Sequence, residues 1–289
     1  MEDTDYSDIE QGRLSQILQQ LHQVLIQPIA DLLPTEDTAK VIFMPQGSLF
    51  LIPFPALKDY SNKYLIEKHT ILTAPSIQVL ELTRQQQATV QQAALQEVLV
   101  LGNPTMPLHL RPLPGAEEEA IAIANLLQTQ AITGGDGTKE RIVNKMLQAK
   151  IIHLATHGLL DNDRGLGSAI ALAPSDNDNG LLTAEEILDL NLKAELVVLS
   201  ACDTGRGRLT GDGVIGLSRS FISAGVPSVL VSLWAIPDAP TASLMTEFYR
   251  TWQQQPDKAV ALRQAMLVTM QQHPNPRDWA AFIIIGEAE

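Results

Sequence analysis

The sequence predicts an α/β fold with a central, mostly parallel sheet sandwiched in three layers. Two observations carry this. Seven short, continuous apolar runs (Val41–Met44, Leu49–Ile52, Val98–Leu101, Ile151–Ala155, Leu196–Ser200, Val229–Leu233 and Phe282–Ile285) are bounded by Gly, Pro, Asn or Asp, the pattern of strands buried on both faces. Stretches of helical periodicity alternate with them, as in βαβ units. Of the 289 residues 45% are hydrophobic but only 4% aromatic, so aliphatic side chains must build the core.

Taken in order, the chain opens on an apolar stripe, Leu14, Ile17, Leu18, Leu21, Val24, Leu25, Ile29 and Leu32, which reads as one amphipathic helix ending near Pro34. Residues 1–36 therefore form an N-terminal helical segment, expected to pack on the core or to form a junction with a regulatory domain. Residues 37–148 read as the N-terminal half of the main domain and 149–289 as its catalytic half. Further helices are expected over 117–127, 139–147, 183–190, 214–224, 241–253 and 259–271. Thr183 with Glu186 has the capping-box form, in which hydroxyl and carboxylate satisfy the free amides of a helix start. The Gln-rich 85–92 and the Asp-rich 161–178 read as loops. No internal repeat is visible.

Charge and cysteine content narrow the function classes. The net charge is −13 and basic residues are scattered, whereas phosphate binding needs a basic footprint, so no nucleic-acid partner is expected. No apolar run approaches the roughly 20 residues of a membrane span, and the acidic start lacks the form of a secretory signal. A single cysteine excludes an internal disulfide and a multi-cysteine zinc site. A reducing cytoplasm is the expected compartment, and no metal or other cofactor is expected.

The chemistry concentrates at two strand ends. Ile151-Ile-His-Leu-Ala-Thr-His-Gly delivers His157 to the C-terminal edge of a buried strand, the edge where open α/β sheets carry their sites. Leu196-Val-Val-Leu-Ser-Ala-Cys-Asp-Thr-Gly does the same for Cys202. An imidazole beside a thiol removes its proton or lowers its pKa, producing a nucleophilic thiolate. The backbone amides of Gly158 and Cys202 are available to hold an oxyanion. By itself a free cysteine at a strand end is more often inert packing. His153 and His157 share the i, i+4 spacing of a zinc helix, but Leu154 replaces the glutamate and the run is strand-like, so His153 reads as a core histidine.

Several motifs in a fixed order extend the reading: Pro45-Gln-Gly-Ser-Leu49, Pro53-Phe-Pro-Ala-Leu57, Leu113-Pro-Gly-Ala-Glu-Glu-Glu119, His157-Gly158, Ser200-Ala-Cys-Asp-Thr-Gly205, Gly213-Val-Ile-Gly-Leu-Ser-Arg-Ser-Phe221, Ser232-Leu-Trp234 and Trp279-Ala-Ala-Phe282. Over about residues 40–286 the chain resembles the CHAT domain, a caspase-like domain associated with tetratricopeptide repeats and related to separases, gingipains and metacaspases. The resemblance implies a His157–Cys202 dyad acting on a protein or peptide substrate. It also implies regulation by a tetratricopeptide-repeat domain or protein. In separases an acidic residue after the Trp-bearing strand holds a basic P1 side chain, which assigns that role to Asp238, with Trp234 and Asp203 lining the substrate site. Asp203 otherwise reads as a brace for its loop, and Asp238 as a turn aspartate. Arg206 and Arg208, in a glycine-rich loop, are expected sites of self-processing. The alternative from another class is a catalytically silent caspase-fold scaffold or signalling adaptor. A nucleotide-binding domain has no glycine-rich phosphate fingerprint to support it.

Overall fold

A computed structural model describes residues 3–36, 39–93, 95–107, 110–159, 161, 165–200, 208–210, 213–234 and 236–289. Strands β1 (Lys40–Phe43), β2 (Thr70–Thr73), β3 (Glu97–Pro104), β4 (Ala131–Gly134) and β5 (Ala149–Ala155) belong to the main sheet. So do β9 (Leu196–Leu199), β12 (Ser228–Ser232) and β13 (Phe282–Gly286). Their spatial order is β1-β2-β13-β12-β9-β5-β3-β4, and every pairing is parallel except β12 with β13. Two small sheets flank it: β6 (Gly158–Leu159), β7 (Ala169–Ala171) and β8 (Leu181–Thr183) form one, and β10 (Arg208–Thr210) with β11 (Gly213–Ile215) the other.

Alternation hidden inside the apolar runs builds the three layers. Leu196, Val198, Leu230, Phe282 and Ile284 face one core, closed by α4 (Pro114–Leu126), α8 (Asp238–Gln254) and α9 (Lys258–Gln272). Val197, Leu199, Val229, Val231, Ile283 and Ile285 face the other, closed by α5 (Lys139–Met146), α6 (Ala184–Leu188) and α7 (Leu217–Ser223). Since both faces are covered, the central strands are apolar at successive positions. The capping box at α6 is present: Thr183 accepts from the Glu186 amide, and Glu186 accepts from the Thr183 amide. Among the described residues, no helix is long and apolar enough to cross a membrane.

Four sequence expectations are corrected. The N-terminal helix, α1, runs Asp3–Leu25 and gives way to a 3₁₀ turn over Gln27–Leu32, because Pro28 has no N–H to continue the α-helical ladder. Its stripe is not continuous core either: Leu18 is buried, whereas Val24 and Leu32 are 69% and 82% exposed. Leu49–Ile52 is not a strand; Gly47–Leu51 is a 3₁₀ turn, with Gly47 at φ +54 and Pro53 closing the run. Gln85–Gln92 is not a loop but the second half of α3 (Ile77–Gln92), since glutamine is a good helix former and no breaker intervenes. Val214 and Ile215, expected to open the 214–224 helix, belong to β11 instead, and α7 starts at Leu217.

Candidate active site

The site lies at the C-terminal edge of β5, β9 and β12. Strands β5 and β9 pair in parallel with Leu154 opposite Leu199, and the Ser200 amide continues the ladder to the Leu154 carbonyl at 3.0 Å. Residues opposite each other are thus 45 apart in sequence, and His157 and Cys202 have that same offset. Cys202 and Asp203 lie outside the described residues, as do Arg206 and most of the loop that holds Arg208.

His157 follows β5 directly. The Ala171 amide donates to its carbonyl at 2.9 Å, tying its backbone to the small flanking sheet, where Gly158 opens β6 opposite Ile170. Its ring Nε2 sits 2.8 Å from the Arg111 carbonyl. A carbonyl only accepts, so Nε2 carries a proton, and the tautomer compatible with this contact has its lone pair on Nδ1. Sequence motifs gave no sign of Arg111, whose contribution is a backbone oxygen. Its loop is braced by Asn103, held at φ +46, which accepts from the Leu113 amide at 2.7 Å and donates to Glu117 at 2.9 Å.

Beside these strand ends is a narrow pocket lined by Thr156, Ser200, Ser232, Trp234, Asp238 and Glu119. Thr156 is fully buried and donates to the Ala171 carbonyl at 2.7 Å. Trp234, half-buried, is fixed by its indole N–H donating to the Arg277 carbonyl at 3.0 Å. Asp238 begins α8 at the pocket mouth, where the helix dipole favours a carboxylate. It rests against Gly115: a Cβ built on that glycine would come 2.2 Å from Asp238 Cβ and Cγ. The glycine of Leu113-Pro-Gly is therefore what lets the aspartate in.

The floor was not foreseen. Glu119, one helical turn beyond Gly115, is 3% exposed, and its Oε1 is 3.1 Å from Nε2 of the fully buried His153. That approach does not meet hydrogen-bond geometry, and among the described residues neither atom has another partner. His153 Nδ1 meets the Tyr249 hydroxyl at 3.2 Å. Burial, reinforced by the charge of Glu119, pushes the Tyr249 phenol well above its ordinary pKa, so it stays a neutral donor. His153 is thus a core histidine, as expected, but one linked to the pocket. A clue existed in the sequence: Glu119 falls on the Ala116, Ala120, Ile123 stripe that α4 turns toward the core. Among the described residues, no group of three His, Cys, Asp or Glu is arranged to hold a metal ion.

The CHAT domain family model matches residues 15–287, from α1 to the last strand. The chain belongs to the CHAT domain family. Tetratricopeptide repeat protein 28 of Homo sapiens is 31% identical over 321 residues, and that of Mus musculus 29% over 325. Each match takes in 93% of this chain, which spans only 13% of those relatives' length. Among solved structures, separase in the Saccharomyces cerevisiae separase–securin complex superposes with a TM-score of 0.58 at 16% identity, covering 85% of this chain and 15% of separase. The Arg specific cysteine proteinase gingipain R gives 0.52 at 9% identity, covering 95% and 66%. This CHAT domain shares the caspase-like fold of separase and gingipain R.

Proposed function

We propose that this CHAT domain is a cysteine endopeptidase in which Cys202 is the nucleophile and His157 its general base. The observation that carries the reading is the His157 ring: Arg111 holds its Nε2–H, so the Nδ1 lone pair is the proton acceptor, just beyond a strand whose 45-residue register offset equals the sequence spacing of His157 and Cys202. In the reaction the thiol proton passes to Nδ1 and sulfur attacks the peptide carbonyl carbon. The oxyanion is held by the backbone amides of Gly158 and Cys202. Collapse breaks the C–N bond, and the amine leaves with the proton from His157. Water, deprotonated by the same imidazole, then cleaves the thioester, giving the acid and restoring the thiol.

Asp238 at the pocket mouth supports a basic P1 residue, with Trp234 walling the pocket; Asp203 is the residue next in sequence to the nucleophile. Control by a tetratricopeptide-repeat domain or protein is supported by the names of the curated relatives. The apolar surface of α1 and the turn after it, where Ile17, Val24 and Leu32 are exposed, suits such a contact.

Alkylation tests the dyad cleanly because the chain has one cysteine. Iodoacetamide should label Cys202 well below pH 8, and His157→Ala should move that profile up toward the ordinary thiol range near 8.5. A wild-type profile already centred near 8.5 and unmoved by His157→Ala contradicts the assignment.

A further inference from the structure

We propose that Glu119 is a second specificity determinant of this pocket, a deep carboxylate that holds the cationic end of the substrate side chain whose entrance Asp238 guards. This rests on the pocket being the substrate side-chain site of the peptidase above.

Three observations converge. First, a buried carboxylate needs partners, since moving a charge out of water is costly unless it is paired and hydrogen-bonded. Among the described residues, the one basic group within ion-pair distance of Glu119 is His153, and their 3.1 Å approach is poorly aligned. His153 in turn spends its other nitrogen on Tyr249. The carboxylate is left with acceptor capacity on the pocket side. Second, Ser200 also lines the pocket, is 8% exposed, and among the described residues its hydroxyl has no partner. Unmatched polar atoms at the bottom of one pocket are what a bound donor group completes. Third, both carboxylates line the one pocket along α4: Asp238 rests on Gly115, and the backbone of Glu119 is one turn further along the helix, about 6 Å on at 1.5 Å per residue. A guanidinium in this pocket has five N–H groups with which to serve Asp238, the Ser200 hydroxyl and Glu119. A neutral side chain leaves the carboxylate charges uncompensated, and buried polar groups left unpaired discriminate strongly.

The test reads binding on the Cys202→Ala protein, so it does not depend on cleavage. Peptide amides ending in arginine or in its neutral isostere citrulline are titrated calorimetrically at pH 8, above the usual imidazole range. The arginine peptide should bind about tenfold tighter or more, as a charge-assisted contact allows. With Asp238→Asn added, at least about a threefold preference should survive, and Glu119→Gln should remove most of what remains. Equal binding of the two peptides, no measurable binding of either, or loss of all preference in Asp238→Asn overturns the proposal. Should Glu119→Gln not fold, the Asp238→Asn comparison still decides. Binding preference without Cys202-dependent cleavage would sink the peptidase reading while leaving the pocket assignment standing; cleavage with no preference would do the reverse.

Discussion

Gly102, near the end of β3, sets how closely α4 approaches the sheet, and α4 carries both Gly115 and Glu119. A Cβ placed on Gly102 would be 2.4 Å from the Ala116 carbonyl oxygen and 2.4 Å from Ala120 Cβ. Ordinary contact begins near 3.4 Å, so Gly102→Ala must push the helix away by about 1 Å. The obstructing atoms are backbone and a Cβ, so no rotamer change relieves the clash. Overpacking of this kind costs about 3 kcal/mol, which for a chain of this size lowers the thermal midpoint by roughly 5 °C. Gly12→Ala is the matched control: it lies on an exposed stretch of α1 with nothing within 4 Å of the new methyl. There the substitution should stabilise by about 0.5–1 kcal/mol through helix propensity. Differential scanning calorimetry of the two variants should show shifts of opposite sign. A Gly102→Ala midpoint within about 2 °C of wild type would refute the tight β3–α4 contact, and with it the account of how the pocket is positioned.

Other consequences are equally direct. Gly115→Ala places a methyl where Asp238 now packs, so the preference for arginine over citrulline at P1 should fall severalfold in a peptide-cleavage panel, with overall folding retained by circular dichroism. Tyr249→Phe leaves His153 Nδ1 without its partner in the core and should cost about 1–3 kcal/mol in urea unfolding. The same tyrosine has its pKa raised by folding, so the stability it contributes is fully present below its unfolded value near 10 and is lost as pH rises beyond it. The alkaline decline in unfolding free energy should therefore be shallower in Tyr249→Phe than in wild type. His157→Ala removes the imidazole but not the thiol, so it should abolish peptide cleavage while Cys202 still alkylates quantitatively at pH 9.

What the sequence made legible was whatever depends on strong local pattern. Buried strands such as Leu196–Leu199 and Phe282–Gly286 show as unbroken apolar runs because both faces are covered. Less apolar members of the sheet escaped notice: Thr70–Thr73 and Ala131–Gly134 have too few apolar residues to stand out, and pairing with neighbouring strands supplies their stability. Leu49–Phe50–Leu51 has strand composition, but Gly47 and Pro53 bend it into a turn. At the site, the proposed pair His157 and Cys202 are residue types with intrinsic reactivity, which strand ends and family motifs single out; the structure describes His157 of the two. Parts that act through position could not. The Arg111 carbonyl has no side-chain signature, and Gly115 matters only because Asp238, 123 residues later, comes to rest on it. Glu119 sat among three consecutive glutamates, a run that reads as solvated surface until α4 is rotated onto the core.

The most direct test of the central claim is the initial rate at which the protein cleaves a fluorogenic peptide with arginine at P1, measured side by side with Cys202→Ala. The account predicts steady turnover by the wild type and a loss of at least about a thousandfold in the variant. Equal rates for the two proteins, or a wild-type rate no higher than that of Cys202→Ala, would contradict it.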